Sequence, residues 1–327
     1  PVTSLDLMER AATVFTEKLL IFFPNSHIFN ILAGSGNNGG DGYVVARLLY
    51  QNGLNVKVFG LHENDHLSPN CAVNRERFIN MGGCYIEVKN PDNLQPDENS
   101  VLVDAIFGAG LNRPVTGFLG DIIRRINSLS HPVVAIDMPS GLMGEDNGEN
   151  KGAIIKADYT FTFQFPKLAF MFPENVVYVG HWEVLDIRLH PIILREYPAA
   201  YYYLTEEVVT SRLLIPAKFS HKGTLGNTLL IVGSYSMMGA AVLAAKGAIR
   251  SGTGLLSVHV PRKLKEMIHL SVPEALVEVD RNEFCFSGVD NLSRIQAVGI
   301  GSGIGTSPVT AEGIRQLLSV WRGKIVL

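Results

Sequence analysis

Short apolar runs alternate with amphipathic segments along most of the chain. Runs of four to eight apolar residues bounded by Gly, Asn, Asp or Pro predict buried strands, and apolar residues spaced three and four apart predict helices. The predicted strands are 28–33, 56–59, 84–88, 101–107, 133–137, 158–165, 228–232, 256–260, 275–279 and 297–301, and 176–187 is strand-rich. The predicted helices are 5–15, 43–49, 68–81, 119–129, 240–250 and 310–321. This alternation predicts βαβ crossovers, a largely parallel sheet and therefore an α/β fold.

A break in the alternation predicts two domains. The stretch from Pro191 to Tyr203 contains Pro198 and a tyrosine triplet, and it interrupts the pattern as a linker would. The length of 327 residues is enough for two cores. We therefore predict domains at 1–200 and 204–327.

The two ends of the sequence lie inside predicted elements. Pro1 leads at once into a helical pattern, and Lys324–Leu327 reads as an interrupted strand. We expect the natural protein to extend beyond both ends.

Composition narrows the class of partner. Hydrophobic residues make up 46% and charged residues 18%, which is ordinary for a globular protein. The net charge of −3, without a basic block, argues against a nucleic-acid partner. No apolar run reaches the ~18 residues that span a bilayer, and no secretory leader is visible, so we expect no membrane partner. Three cysteines without C-x-x-C spacing predict reduced, mostly buried thiols in a cytoplasmic protein.

A glycine-rich turn follows the first strand and precedes the second helix. It reads Gly34-Ser-Gly-Asn-Asn-Gly-Gly-Asp-Gly42. Backbone N–H groups converge on anions at such turns, and glycine accepts both close ligand contact and positive φ. Asn37 and Asn38 add amide groups, and Asp41 is placed where we expect the helix N-cap. The turn therefore predicts a site for a phosphorylated ligand.

Two alternatives remain for this turn. Gly34-x-Gly36-x-x-Gly39 matches the dinucleotide fingerprint, which suggests an NAD-dependent oxidoreductase. The fingerprint also needs an acidic residue about 20 positions later, where this chain reads Gly53-Leu-Asn55. The other alternative is a tight turn that binds nothing.

Two more strands end in an acidic residue followed by glycines. They read Asp104-Ala-Ile-Phe-Gly108-Ala-Gly110 and Asp137-Met-Pro-Ser140-Gly141. A lone Asp of this kind is typical of a turn. Because the carboxyl ends of parallel strands form the ligand crevice of an open sheet, three such loops predict one shared site.

These motifs resemble those of a known family. Gly36-Asn-Asn-Gly-Gly-Asp-Gly42, Val103–Leu111 and Ala135–Gly141 resemble the epimerase half of the bifunctional NAD(P)H-hydrate repair enzymes. The second domain is similar to the ADP- or ATP-dependent dehydratase half, on four further motifs. These motifs are His221-Lys-Gly-Thr-x-Gly226, Gly233-Ser-x-x-x-x-Gly239-Ala-Ala, Arg250-Ser-Gly-Thr-Gly254 and Gly299-Ile-Gly-Ser-Gly303. The resemblance implies a Rossmann-like three-layer epimerase domain followed by a partial ribokinase-like domain.

The resemblance also implies an activity and a set of site residues. The first domain would epimerise the R and S forms of hydrated NADH or NADPH, and the second would dehydrate the S form. Asp137 would lie at the substrate, and we take it as the candidate for proton transfer because a positioned carboxylate could act as a general base. A potassium ion would be held by Asn38, Asp104 and Ser140. The residues expected to contact the hydrated nucleotide are Asn37, Asn38, Gly39, Gly40, Asp41, Gly108, Ala109, Gly110, Leu111, Asn112, Arg113, Pro114, Asp137, Ala240 and Gly303. Other expected participants are ADP or ATP as phosphoryl donor, Mg²⁺, and further copies of the chain in a homo-oligomer.

One departure from the family pattern limits the second domain. The family carries a Gly-x-Gly-Asp segment whose Asp activates the reacting group, and none occurs after Gly226. We expect that Asp and the donor-nucleotide loop to lie beyond Leu327. Residues 1–327 would therefore epimerise the hydrated nucleotide but would not dehydrate it. A non-catalytic nucleotide-binding protein remains a further alternative.

Overall fold

A computed structural model describes residues 2–62, 66–190, 192, 196–197 and 199–327. The chain divides into two units, Pro1–Leu204 and Thr205–Leu327. Part of the predicted linker, residues 191, 193–195 and 198, lies outside the described residues. Among the helices that the structure describes, none combines the length and the hydropathy needed to cross a membrane.

The first unit is built on a parallel sheet. Within the described residues it has seven strands in the order β3-β2-β1-β4-β5-β6-β7. The strands are β1 (Ile28–Ala33), β2 (Asn55–Gly60), β3 (Cys84–Glu87), β4 (Val101–Ala105), β5 (Val133–Ile136), β6 (Tyr159–Phe163) and β7 (His181–Leu185). The helices are α1 (Ser4–Phe22), α2 (Asn37–Gln51), α3 (Pro69–Asn80), α4 (Gly117–Asn127) and α5 (Val176–Val179), with 3₁₀ turns at Pro91–Asn93, Leu168–Met171 and Pro173–Asn175. The α/β class predicted from the alternation is confirmed.

Side chains of successive strand residues enter different layers of the first unit. Ile31 joins the buried cluster that also contains residues of α1, α2 and α3. Leu32, the next residue, joins the cluster that contains Ile122 and Ile126 of α4. Because successive side chains of a strand point to opposite faces, these clusters are the two cores of a three-layer unit.

The glycine-rich turn is helical earlier than its sequence predicts. Gly36 is the N-cap of α2, so Asp41 lies inside the helix and the predicted N-cap role of Asp41 is wrong. A Cβ on Gly39 would lie 1.9 Å from a backbone oxygen, and a Cβ on Gly42 would lie 2.6 Å from Ala105 Cβ. Glycine therefore lets α2 pack closely against the sheet, which outweighs its unfavourable helix propensity of about 1 kcal/mol. No glycine of the turn has positive φ.

Two other expectations need correction in this unit. Val176–Val179 is a helical turn, and Gly180 with φ 61° ends it before β7. The strand-rich prediction holds only for the second half of that segment. The thiols are free, but Cys71 alone of the three is buried, since Cys84 is exposed and Cys285 is half-buried, so the prediction of mostly buried cysteines is wrong.

The second unit has its own parallel sheet. In the part of it that the structure describes, five strands follow the order β10-β9-β8-β11-β12. They are β8 (Asn227–Ile231), β9 (Leu255–Val260), β10 (Leu276–Val279), β11 (Ala297–Ile300) and β12 (Lys324–Val326). The helices are α6 (Glu206–Thr210), α7 (Met238–Arg250), α8 (Lys265–Ser271) and α9 (Pro308–Val320), with a 3₁₀ turn at Arg262–Leu264. Both short helices, α6 and α8, are absent from the sequence prediction.

Candidate functional site

A buried carboxylate joins the loops after β4 and β5. Asp104 on β4 is fully buried, and both of its oxygens accept hydrogen bonds from Ser140. The Ser140 hydroxyl donates to Asp104 Oδ1 at 2.5 Å, and the Ser140 N–H donates to Oδ2 at 2.7 Å. The two loops are thus held together through one side chain.

Phe107, in the loop after β4, connects the loop after β1 to Asp104 and Ser140. Its N–H donates to Ser140 Oγ at 2.8 Å, and its carbonyl accepts from Asn38 Nδ2 at 2.9 Å. Asn38 belongs to the first turn of α2, directly after β1. The structure therefore brings Asn38, Asp104 and Ser140 together at the carboxyl edge of the sheet.

The electrostatics of this cluster favour a cation. Burial raises the pKa of Asp104 to about 6, and hydrogen bonds from Ser140 and Ile106 oppose that rise only in part. Carboxylate, amide, hydroxyl and carbonyl oxygens are the ligands that hard cations prefer. Across the described residues, no three His, Cys, Asp or Glu side chains gather as a metal site, so the cluster offers one carboxylate among neutral oxygens. Such a donor set fits a singly charged cation better than a transition metal.

Asp137 lies at the end of β5, beside this cluster. Its backbone has φ 63°, in the left-handed region that non-glycine residues rarely adopt. Its carboxylate accepts hydrogen bonds from Thr162 and Lys167, with Lys167 Nζ 2.8 Å from Oδ1. Sequence reasoning missed both partners. The signal that the sequence offered was the position of Thr162 near the end of β6 and of Lys167 four residues after that end, since β6 pairs with β5.

A second carboxyl group lies near Asp137. Asp41 is half-buried in α2, and its pKa is raised well above the usual value, first by burial and then by the charge of Asp137. Two carboxyl groups whose environments differ in this way can act as acid and base. This arrangement makes Asp41 the candidate acid and Asp137 the candidate base of the site.

The remaining predicted residues of the first unit lie around this centre. Asn37 is exposed and accepts a hydrogen bond from Ser68 at 3.0 Å. A Cβ on Gly108 would lie 3.4 Å from the Asn38 side chain, so the loop after β4 begins against α2. Leu111 is half-buried, whereas the other residues that follow Gly108 in that loop are exposed; these are Ala109, Gly110, Asn112, Arg113 and Pro114.

In the second unit, the structure places its two predicted site residues side by side. A Cβ on Gly303 would lie 2.7 Å from Ala240 Cβ, and Gly303 has φ 74°. Both conditions demand glycine at position 303. The Gly233 N–H donates to Ser302 O at 2.9 Å and holds the loop after β11 against the loop between β8 and α7. Ala240 and Gly303 thus lie at one edge of the second sheet.

Comparison with known proteins matches both units. The family model described as YjeF-related protein N-terminus matches residues 4–169, and the one described as NAD(P)H-hydrate dehydratase matches residues 228–327. The first of these covers half of the chain.

Curated relatives match almost the whole chain. The bifunctional NAD(P)H-hydrate repair enzyme Nnr of Moorella thermoacetica is 32% identical over 97% of this chain and 63% of its own length. The Nnr enzyme of Synechocystis sp. is 34% identical over 96% of this chain and 60% of its own. That of Escherichia coli is 30% identical over 93% of this chain and 58% of its own. The chain spans about three fifths of the length of these relatives. It belongs to the family of YjeF-related proteins and is similar, across both of its units, to the bifunctional NAD(P)H-hydrate repair enzymes.

Proposed function

We propose that the first unit interconverts the R and S epimers of hydrated NADH and NADPH. The observation that carries this proposal is the meeting of three loops at the carboxyl ends of β1, β4 and β5 around Asp104. That edge is where open parallel sheets bind nucleotides. The similarity to the repair enzymes supports the same substrate class.

We assign binding of the phosphate groups to the N-terminus of α2, the helix that follows β1. The first N–H groups of α2 point outward at its N-terminus, where they suit the pyrophosphate of a dinucleotide. The exposed amide of Asn37 lies at this terminus. We assign binding of the hydrated nucleotide to residues 37–41 and 108–114 and to Asp137.

The two carboxyl groups supply the chemistry. Inversion at the hydrated carbon requires one bond to that carbon to break and re-form. As a base takes the proton of the hydroxyl group, its oxygen forms a carbonyl with that carbon, the bond from the carbon to the ring nitrogen breaks, and an acid protonates the nitrogen. We assign the base to Asp137 and the acid to Asp41, whose pKa is raised by burial and by the charge of Asp137. The reverse transfers close the bond on the other face.

A potassium ion fits the cluster beside these carboxyl groups. Asn38, Asp104 and Ser140 would hold it, since they offer amide, carboxylate and hydroxyl oxygens around a buried charge that lacks a cationic side-chain partner among the described residues. When bound, the ion would supply positive charge that keeps Asp104 ionised and the three loops together.

The second unit is proposed to take part in dehydration of the S epimer. The match of residues 228–327 to the dehydratase family supports this role. Ala240 and Gly303 would contact the hydrated nucleotide, with ADP or ATP as donor and Mg²⁺ as its counter-ion.

The free cysteines support a reducing, cytoplasmic compartment. The proposal includes a homo-oligomer, which light scattering tests.

Chromatography of the separated hydrate epimers tests the epimerase proposal. Pure R hydrate incubated with the protein should approach the equilibrium mixture much faster than without it. Binding of either hydrate without faster interconversion would favour a non-catalytic binding protein. Hydride transfer from intact NADH would favour an oxidoreductase that uses the glycine fingerprint.

A further inference from the structure

The Asp137 carboxylate is held through only one of its two oxygens. Oδ1 accepts three hydrogen bonds, from Lys167 Nζ at 2.8 Å, Phe163 N at 3.0 Å and Thr162 Oγ1 at 3.1 Å. In the residues that the structure describes, Oδ2 accepts no hydrogen bond. The carboxylate therefore has a saturated oxygen and a free one.

The Lys167 ammonium uses all of its hydrogen-bond donors within the protein. Besides Asp137 Oδ1, its ammonium lies 2.9 Å from Thr162 Oγ1 and 3.2 Å from the carbonyl oxygens of Phe163 and Phe165. An ammonium has three protons, so these four oxygens use all of its donor capacity. The Lys167 side chain is 19% exposed and that of Asp137 is 14% exposed, so solvent screens their attraction only weakly. Lys167 is thus poorly placed to give a proton to a ligand and well placed to hold a neighbour.

The backbone at both strand ends is shaped to bring this pair together. Asp137 follows β5 with φ 63°, and Gln164 follows β6 with φ 63°. The Asp137 N–H donates to Phe161 O on β6, which fixes its turn against the neighbouring strand. Left-handed backbone in non-glycine residues persists only where surrounding contacts determine it, and it concentrates at functional sites.

We propose that Lys167 is the positioning residue of the epimerase site, which fixes the Asp137 carboxylate through Oδ1 and leaves Oδ2 to meet the substrate. This inference rests on the proposed epimerase function. Lys167 acts through Asp137 and does not touch the reacting atoms. Loss of Lys167 should impair turnover while leaving binding of the nucleotide largely intact, because most of the residues assigned to binding, 37–41 and 108–114, lie in other loops.

Replacement of Lys167 by methionine tests the proposal in the full chain. Lys167→Met keeps the length of the side chain and removes its donors, so the carboxylate becomes free to turn. Misplacement of a catalytic group by about 1 Å can cost about 10²-fold, and we expect kcat to fall by that order with little change in KM. Thr162→Val removes a second donor to Oδ1 and should lower kcat less, again with KM little changed.

Lys57→Met is the matched control. Lys57 forms an ion pair with Asp97 at 2.6 Å in the same unit and is 23% exposed, close to the exposure of Lys167. The kcat of Lys57→Met should equal that of the wild-type protein. Circular dichroism at the assay temperature gives the folded fraction, by which each kcat is corrected.

The outcomes separate the inference from the function on which it rests. If the wild-type protein does not speed interconversion of the epimers, the proposed function fails first. If it does, and Lys167→Met matches Lys57→Met in kcat, the positioning role is refuted. A rise in KM with an unchanged kcat would also refute it, because Lys167 would then serve substrate binding. Should Lys167→Met fail to fold, an unchanged kcat in Thr162→Val would overturn the proposal and a lowered one would support it.

Discussion

The buried Asp104 carboxylate should make the stability of the folded chain depend on pH, and bound potassium should reduce that dependence. Burial raises the pKa of Asp104 from 3.8 to about 6 in the folded chain, although hydrogen bonds from Ser140 oppose the rise. Between these two values the folded protein keeps a proton that the unfolded chain has lost. Stability therefore falls as pH rises through this window, and the loss is complete above it.

The size of this effect follows from the difference of roughly two units between the pKa of Asp104 in the folded chain and its value of 3.8 in the unfolded chain. At about 1.4 kcal/mol per unit, ionisation of Asp104 costs the folded state about 3 kcal/mol. A ligand present at 100 times its dissociation constant stabilises the folded state by about 2.7 kcal/mol. Potassium bound beside the ionised carboxylate would therefore offset most of the loss.

Calorimetric unfolding in two buffers measures both effects. The wild-type chain should lose stability between roughly pH 4 and pH 7 in tetramethylammonium chloride, and much less in potassium chloride. Asp104→Ala should lack the difference between the two salts. Asp97→Ala is the control, because that carboxylate is paired with Lys57 at 2.6 Å and lies outside the proposed cation site, so its response to potassium should remain.

Two results would contradict this reasoning. If the wild-type protein and Asp104→Ala respond identically to potassium, the ion binds elsewhere or not at all. If the wild-type protein and Asp104→Ala show the same change of stability with pH in tetramethylammonium, burial does not disfavour the charge of Asp104.

Three further predictions address the base, the packing of α2 and the second unit. Asp137→Asn should slow epimer interconversion by about 10²–10⁴-fold without unfolding the chain, and a near wild-type rate by chromatography would remove Asp137 from the mechanism. Gly39→Ala should lower the free energy of unfolding by about 1–3 kcal/mol or more, because its Cβ would lie 1.9 Å from a backbone oxygen. Gly36→Ala, with no atom within 4 Å of its Cβ, should cost less in the same urea titration, and equal losses would refute the packing argument. Burial lowers the pKa of His259, but the hydrogen bonds to Asp280 (2.9 Å) and Glu278 and the charges of both carboxylates together outweigh this, and the pKa is raised above 6.5. Their pairing should stabilise the second unit below that pH and weaken as pH rises through the raised value, and a His259→Gln variant with the same pH dependence would disprove it.

Most elements of the fold could be predicted from the sequence. The strand 28–33 and the helix 68–81 correspond to β1 and α3, with Ser68 as the cap of α3. Apolar runs between polar turns are local properties, so each element can be identified without its neighbours. The three loops that carry the site were also found this way, since each follows a predicted strand. The functions assigned to their residues stay predictions.

Errors in the prediction arose where distant parts of the chain decide the local structure. The start of α2 at Asn37 depends on its close approach to the sheet, which only glycine at positions 39 and 42 allows. The residue type of Asp41 suits an N-cap, but packing against the sheet starts the helix before it. Val176–Val179 has the β-branched composition of a strand and still forms a helical turn, which Gly180 ends.

The sequence by itself determined which residues end the strands, and only the tertiary structure decided which of them meet. Asp104 and Asp137 could be identified as candidates because acidic residues followed by glycines stand after apolar runs. Their partners could not, because Ser140 reaches Asp104 across 36 positions and Lys167 reaches Asp137 across 30. Such contacts depend on the pairing of β4 with β5 and of β5 with β6. Strand order is set by the burial of whole faces of the sheet, and no local pattern in the chain records it.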